Sequence, residues 1–126
     1  MPFYVEIRVP IDIGPLSANR RLHFMERARL TRAARQAGRL AWMQAGQPQA
    51  PGKVRVSLLV RRGRQCDQQN LWAAAKAPAD GVFCAALTPD DSPRYVELGE
   101  VRQETGKRWA AAPEIVFEVE GADDAG

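Results

Sequence analysis

The chain has 126 residues, 45% hydrophobic and 26% charged, with a net charge of +3, which fits one globular domain and excludes two domains or a low-complexity chain. Its longest apolar runs, such as Val82 to Leu87, are far short of a membrane span, and Met1 to Pro10 carries Glu6 and Arg8, so it does not read as a secretion signal. Two cysteines, Cys66 and Cys84, and the single histidine His23 exclude a structural zinc set, and free thiols in a cytoplasmic protein are the expectation.

Phe3 to Val9 alternates apolar and polar side chains, the period-two mark of a half-buried strand. Pro10, Gly14 and Pro15 end it. Ser17, Ala18 and Asn19 then offer capping groups ahead of a helix over about Arg21 to Gln44. At helical spacing Leu30, Ala33, Ala34, Ala37, Leu40 and Ala41 share one arc, the expected core face. A turn at Gln47 to Gly52 leads to a strand over Val54 to Val60, whose Leu58-Leu59-Val60 end reads as buried on both faces. Arg61-Arg62-Gly63-Arg64 reads as a basic loop, and a second helix follows over about Asn70 to Ala86, kinked or briefly broken at Pro78. Strands over Tyr95 to Val101 and Glu114 to Val119 complete the order β-α-β-α-β-β. The expectation is a two-layer α/β (α+β) sandwich, a small mixed sheet with two main helices, forming one domain over residues 1–120. Residues 121–126 read as a disordered acidic tail.

Charge is divided along the chain. Residues 1–64 hold 13 Lys and Arg against 3 Asp and Glu, a balance of +10. Residues 65–126 hold 5 against 12, a balance of −7, which returns the net +3. On the first helix Arg32, Arg35 and Arg39 lie opposite the expected core face, with Arg29 at the edge of that arc. Such a stripe suits a nucleic-acid backbone, where each neutralised phosphate releases counterions, although a solvated helix face would look similar.

The chemistry-bearing stretch runs from Cys66 to Ser92. It contains Asp67-Gln68-Gln69-Asn70, then Lys76, Asp80-Gly81, and Pro89-Asp90-Asp91-Ser92. Carboxylates at both ends of a helix that carries a lysine are suited to holding a divalent cation against a phosphate. Together with Pro15 to His23 ahead of the long helix, these segments resemble the RusA-type Holliday junction resolvases, small phage and bacterial endonucleases. The resemblance follows the element order from about Phe3 to Val119.

It implies a metal-dependent homodimer that cuts opposing strands of a four-way DNA junction, in the cytoplasm of a bacterial or phage-infected cell, with no membrane association. Mg²⁺ or Mn²⁺ is the implied cofactor. Asp67 and Asp91 would be metal ligands and catalytic residues, with Asp90 beside them and Lys76 near the scissile phosphate. Asn19, Arg21, Arg29, Arg32, Arg35, Arg39, Arg61, Arg62, Arg64 and Asn70 would contact DNA. Asn70 reads equally as a helix cap, Lys76 with Asp80 as an ordinary surface ion pair at i, i+4, His23 as structural or a phosphate contact, and Trp72 as core or interface with base contact the alternative. The chain departs from the pattern at Gln69, where the family carries a second metal-binding aspartate, and at Cys84, where an acid is expected. Glutamine can ligate through its carbonyl but brings no charge, so Gln69 is a doubtful ligand. Three readings follow: an active structure-selective endonuclease, a relative that binds branched DNA without cutting it, and a protein-interaction module whose arginines are only solvated.

Overall fold

Alternating side chains build a mixed four-stranded sheet, seen in a computed structural model that describes residues 3–16, 23–66, 71–84 and 86–122. Its strands are β1 (Tyr4–Val9), β2 (Val54–Arg62), β3 (Val96–Thr105) and β4 (Glu114–Gly121), in the order β1-β4-β2-β3. Strand β4 runs antiparallel to both β1 and β2, whereas β2 and β3 are parallel. A parallel pair needs a crossover, and helix α2 (Leu71–Phe83) supplies it. Helix α1 (Phe24–Gln44) joins β1 to β2. The order expected from the sequence is therefore present, with two short additions: a 3-10 helix at Gly14–Leu16 and a helix α3 (Lys107–Ala111) between β3 and β4.

One face of the sheet presents Ile7, Val56, Leu58, Val60, Ile115 and Phe117, all essentially inaccessible to solvent. Phe83 of α2 packs edge-on against Phe117, ring centres 5.8 Å apart, which places α2 over this face. Leu59 and Val116 on the other face are buried too, as the run Leu58-Leu59-Val60 foretold. Arg61 bonds to Glu104 and Glu114, and Arg102 pairs with Glu118, across that second face.

The two helices meet at glycine. A Cβ on Gly38 of α1 would stand 2.9 Å from the carbonyl carbon of Pro78 and closer still to its oxygen. A Cβ on Gly81 of α2 would stand 2.8 Å from the backbone nitrogen of Arg39. Only residues without a Cβ let the backbones approach this far. The contact turns α1 about its axis relative to the expected face. Ala34, Gly38, Ala41 and Trp42 are buried, whereas Ala33 is exposed and Leu40 is 54% exposed. The sequence pattern weights apolar side chains, and glycine contributes none.

Other boundaries also differ from expectation. Helix α1 starts at Phe24 with His23 as its cap, the ring Nδ1 accepting from the Met25 backbone N–H at 3.2 Å. Helix α2 runs through Pro78 without a break and stops at Phe83. Arg61 and Arg62 belong to β2, not to a loop. Gly121 is the last residue of β4 and donates to the Phe3 carbonyl, and the Ala122 N–H donates to the Lys53 carbonyl, so the sheet claims the first residue of the expected tail and a hydrogen bond holds the second beside it.

Candidate functional site: an ionic cluster between two helices

Lys76, Asp80 and Cys84 recur at intervals of four residues from α2 into the turn that follows it, so they face the same way. The chain then returns on itself through Thr88, whose buried hydroxyl donates to the Asp90 carbonyl at 2.6 Å and lies 3.0 Å from that of Phe83. The Asp90 carboxylate accepts from the Ser92 N–H at 2.8 Å and shapes the turn into β3. This returns Asp91 to the face of α2. The Lys76 ammonium stands 3.4 Å from Asp91 and 3.6 Å from Asp80. One donor atom each from Asp80, Cys84 and Asp91 lies within 4.8 Å of the others.

Helix α1 completes the site. Gly38 seats it against α2, and one turn earlier Arg35 lines the same open hollow as Lys76, Asp80, Cys84 and Asp91, a space of about 440 Å³. A smaller hollow of about 280 Å³ shares Arg35, Lys76 and Asp80 with it and adds Arg27 and Thr31. Two cations and two carboxylates from two helices and a loop thus share one cleft.

The electrostatics follow from partial burial. Burial pushes the Asp80 carboxyl above its ordinary value, against the pull of the Lys76 ammonium and with a further push from Asp91. Lys76 is raised by Asp80 first and Asp91 second. The Cys84 thiol is raised by burial and then by the same two carboxylates, so it stays neutral. Asp90 is lowered by its hydrogen bonds from Ser92, consistent with a turn-forming role.

Asp80 and Asp91 are hard oxygen donors that suit Mg²⁺ or Mn²⁺, and they are the described residues that would hold such an ion. A protonated thiol does not suit Mg²⁺, so Cys84 would stand beside the ion and not on it. The Lys76 ammonium now compensates the two carboxylates, and an incoming ion would compete with it.

Of the residues singled out from the sequence, Lys76, Asp91 and Arg35 meet in the cleft. Arg29, Arg32 and Arg39 are exposed on α1, with Arg39 lying over the Trp42 ring at 4.8 Å. Arg61 and Arg62 are engaged inside the protein: Arg61 with Glu104 and Glu114, Arg62 with Asp12, the Arg64 carbonyl and the Cys66 sulfur. Arg64 is exposed. Asn19, Arg21, Asp67, Gln69 and Asn70 lie outside the described residues. Asp80 pairs with Lys76 at the four-residue spacing read from the sequence, but it was given no part in the chemistry. Cys84, read as a free thiol, lies four residues further on, and the same spacing could have placed it in the cluster.

No helix among the described residues is long and apolar enough to cross a membrane. Comparison with protein-family models, curated proteins and solved structures finds no match to this chain.

Proposed function

We propose that this chain is a metal-dependent endonuclease acting on branched DNA, a four-way junction above all, as a homodimer. The observation that carries the reading is the convergence of Arg35, Lys76, Asp80 and Asp91 in one open cleft below an arginine-bearing helix. It joins the resemblance of the Cys66 to Ser92 stretch to the RusA-type resolvases, which names the substrate. In this reading the exposed arginines of α1 hold the phosphate backbone, and Arg35 and Lys76 donate N–H bonds to the oxygens of the phosphate being cut. Asp80 and Asp91 would hold Mg²⁺ or Mn²⁺, which supplies a Lewis acid and an activated water. Hydrolysis forms one bond from water oxygen to phosphorus and breaks one ester bond, leaving a phosphate monoester and a hydroxyl.

A second reading, binding without cutting, is favoured by two particular features. Gln69 is neutral where the resembled family carries an acid, and Lys76 already compensates Asp80 and Asp91. The test is cleavage of a labelled synthetic four-way junction with Mg²⁺ and with Mn²⁺. Paired symmetric nicks that vanish in Asp91→Asn support the endonuclease. Salt-sensitive binding with no product, and product gained in Gln69→Asp, supports the binding-only reading. No binding to junction at any salt concentration defeats both.

A further inference from the structure

A further hollow, mainly apolar, opens beside the ionic cluster, and the cluster does not account for it. It encloses about 360 Å³ between α2 and the β2–β3 side of the sheet. Its walls are mainly apolar: Trp72, Phe83, Val56, Val96, Pro93 and Leu98. Lys76 and Asp91 stand on its wall as well, and they are the same two side chains that form the ion pair of the cleft. The two spaces therefore share the Lys76–Asp91 pair as a common wall.

We infer that this hollow receives one unstacked nucleobase of the bound nucleic acid, with Trp72 as its stacking surface. The inference rests on the proposed phosphate site at Arg35 and Lys76. A group anchored by its phosphate at Lys76 has this hollow as the adjoining apolar space. The volume stands near the low end for ligand pockets, so it suits a single flat ring system and not a larger ligand. Trp72 is half-buried, packed against the core on one side and open to the hollow on the other. An indole face stacks on any base, which supplies affinity without demanding a sequence. Polar groups are few and stand together at Lys76 and Asp91, so a ligand entering here must be apolar on its faces and polar at an edge, as a base is. The exposed Leu98, 59% accessible on edge strand β3, adds an apolar side chain to the lining.

The test uses the full chain, labelled with nitrogen-15, and the four deoxynucleoside 5′-monophosphates, with inorganic phosphate as the comparison. Trp72→Phe assigns the Trp72 indole N–H resonance among those of Trp42 and Trp109. Nucleotides are expected to move the Trp72 indole and the Arg35 Nε resonances together, whereas phosphate moves Arg35 alone. Trp72→Ala should weaken nucleotide binding roughly five- to a hundredfold, the range of base–aromatic stacking, and Trp72→Phe should retain most of it. Ala79→Leu, which fills the hollow from the half-buried side of α2, should abolish the Trp72 response and keep that of Arg35. Arg35 responding to nucleotides with Trp72 silent overturns the base pocket and leaves the phosphate site standing. Silence at both overturns the phosphate site and the pocket with it. A Trp72 response that depends on protein concentration and not on nucleotide means a second copy of the chain fills the hollow, and overturns the inference.

Discussion

Replacing Gly38 by alanine tests the helix contact on which the cleft depends. Alanine in a helix interior is favoured over glycine by about 1 kcal/mol, so an open site would be stabilised. Here the added methyl would overlap the Pro78 carbonyl, with its carbon at 2.9 Å and its Cα at 3.0 Å. Backbone atoms cannot swing aside as a side-chain end can, so α1 must lift from α2 or bend. Overpacking of this kind costs about 1–3 kcal/mol, and a backbone obstacle puts it at the upper end. The net expectation is a loss of about 2 kcal/mol. With an unfolding entropy near 2.1 cal/mol/K per residue over 126 residues, that lowers Tm by roughly 8 °C. Thermal denaturation followed by circular dichroism measures it, with Gly52→Ala as control, since nothing lies within 4 Å of a Cβ there. Gly81→Ala should act alike, and the double variant should lose less than the two losses added together, because one displacement of α1 relieves both overlaps. A rise of about 4 °C in Gly38→Ala, the bare helix preference, would refute the backbone contact and with it the placement of Arg35.

Other perturbations probe separate parts of the argument. Phe117→Ala removes a fully buried ring and its edge contact with Phe83, and should cost about 3–5 kcal/mol, or roughly 10–20 °C in Tm. Arg29→Ala and Arg32→Ala should each reduce the slope of log K against log salt for junction binding by about 0.9. Arg62→Ala should leave that slope unchanged and lower stability, because its guanidinium bonds to Asp12, the Arg64 carbonyl and Cys66. Asp80→Asn should stabilise the protein at neutral pH. A carboxyl raised by folding destabilises the native state above its folded pKa, and that cost disappears as pH falls through the folded value to the ordinary 3.8. Urea melts at neutral pH and below 3.8 should therefore show a gain that vanishes in acid, and a gain that persists in acid would contradict this account.

The strands were legible because their signal is local. In β2, Val54, Val56, Leu58 and Val60 alternate with Arg55 and Ser57, and one face of the sheet accepts every second residue. The parallel pairing of β2 with β3 also follows from a helix lying between them. What escaped was set by contact between distant elements. Gly38 and Gly81 carry no apolar weight, yet they decide which face of α1 is buried, because a missing Cβ permits an approach that no pattern of apolar side chains encodes. The same contact takes Arg35 out of the plain basic stripe and sets it beside Asp80. Arg61 and Arg62 show the converse: their types suggested a loop gripping a polyanion, but β2 extends through them and Glu104, Glu114 and Asp12 answer their charge. Which acids answer a basic residue is fixed by partner strands from far along the chain. Where residues named together from the sequence also meet in space, at Lys76 and Asp91, the reason is again local: one helix and one short return, stitched by Thr88, cover the whole distance. The site reads from sequence as far as one α-helix and its turn reach, and the part contributed by α1 reads only once the two glycines are recognised as a contact.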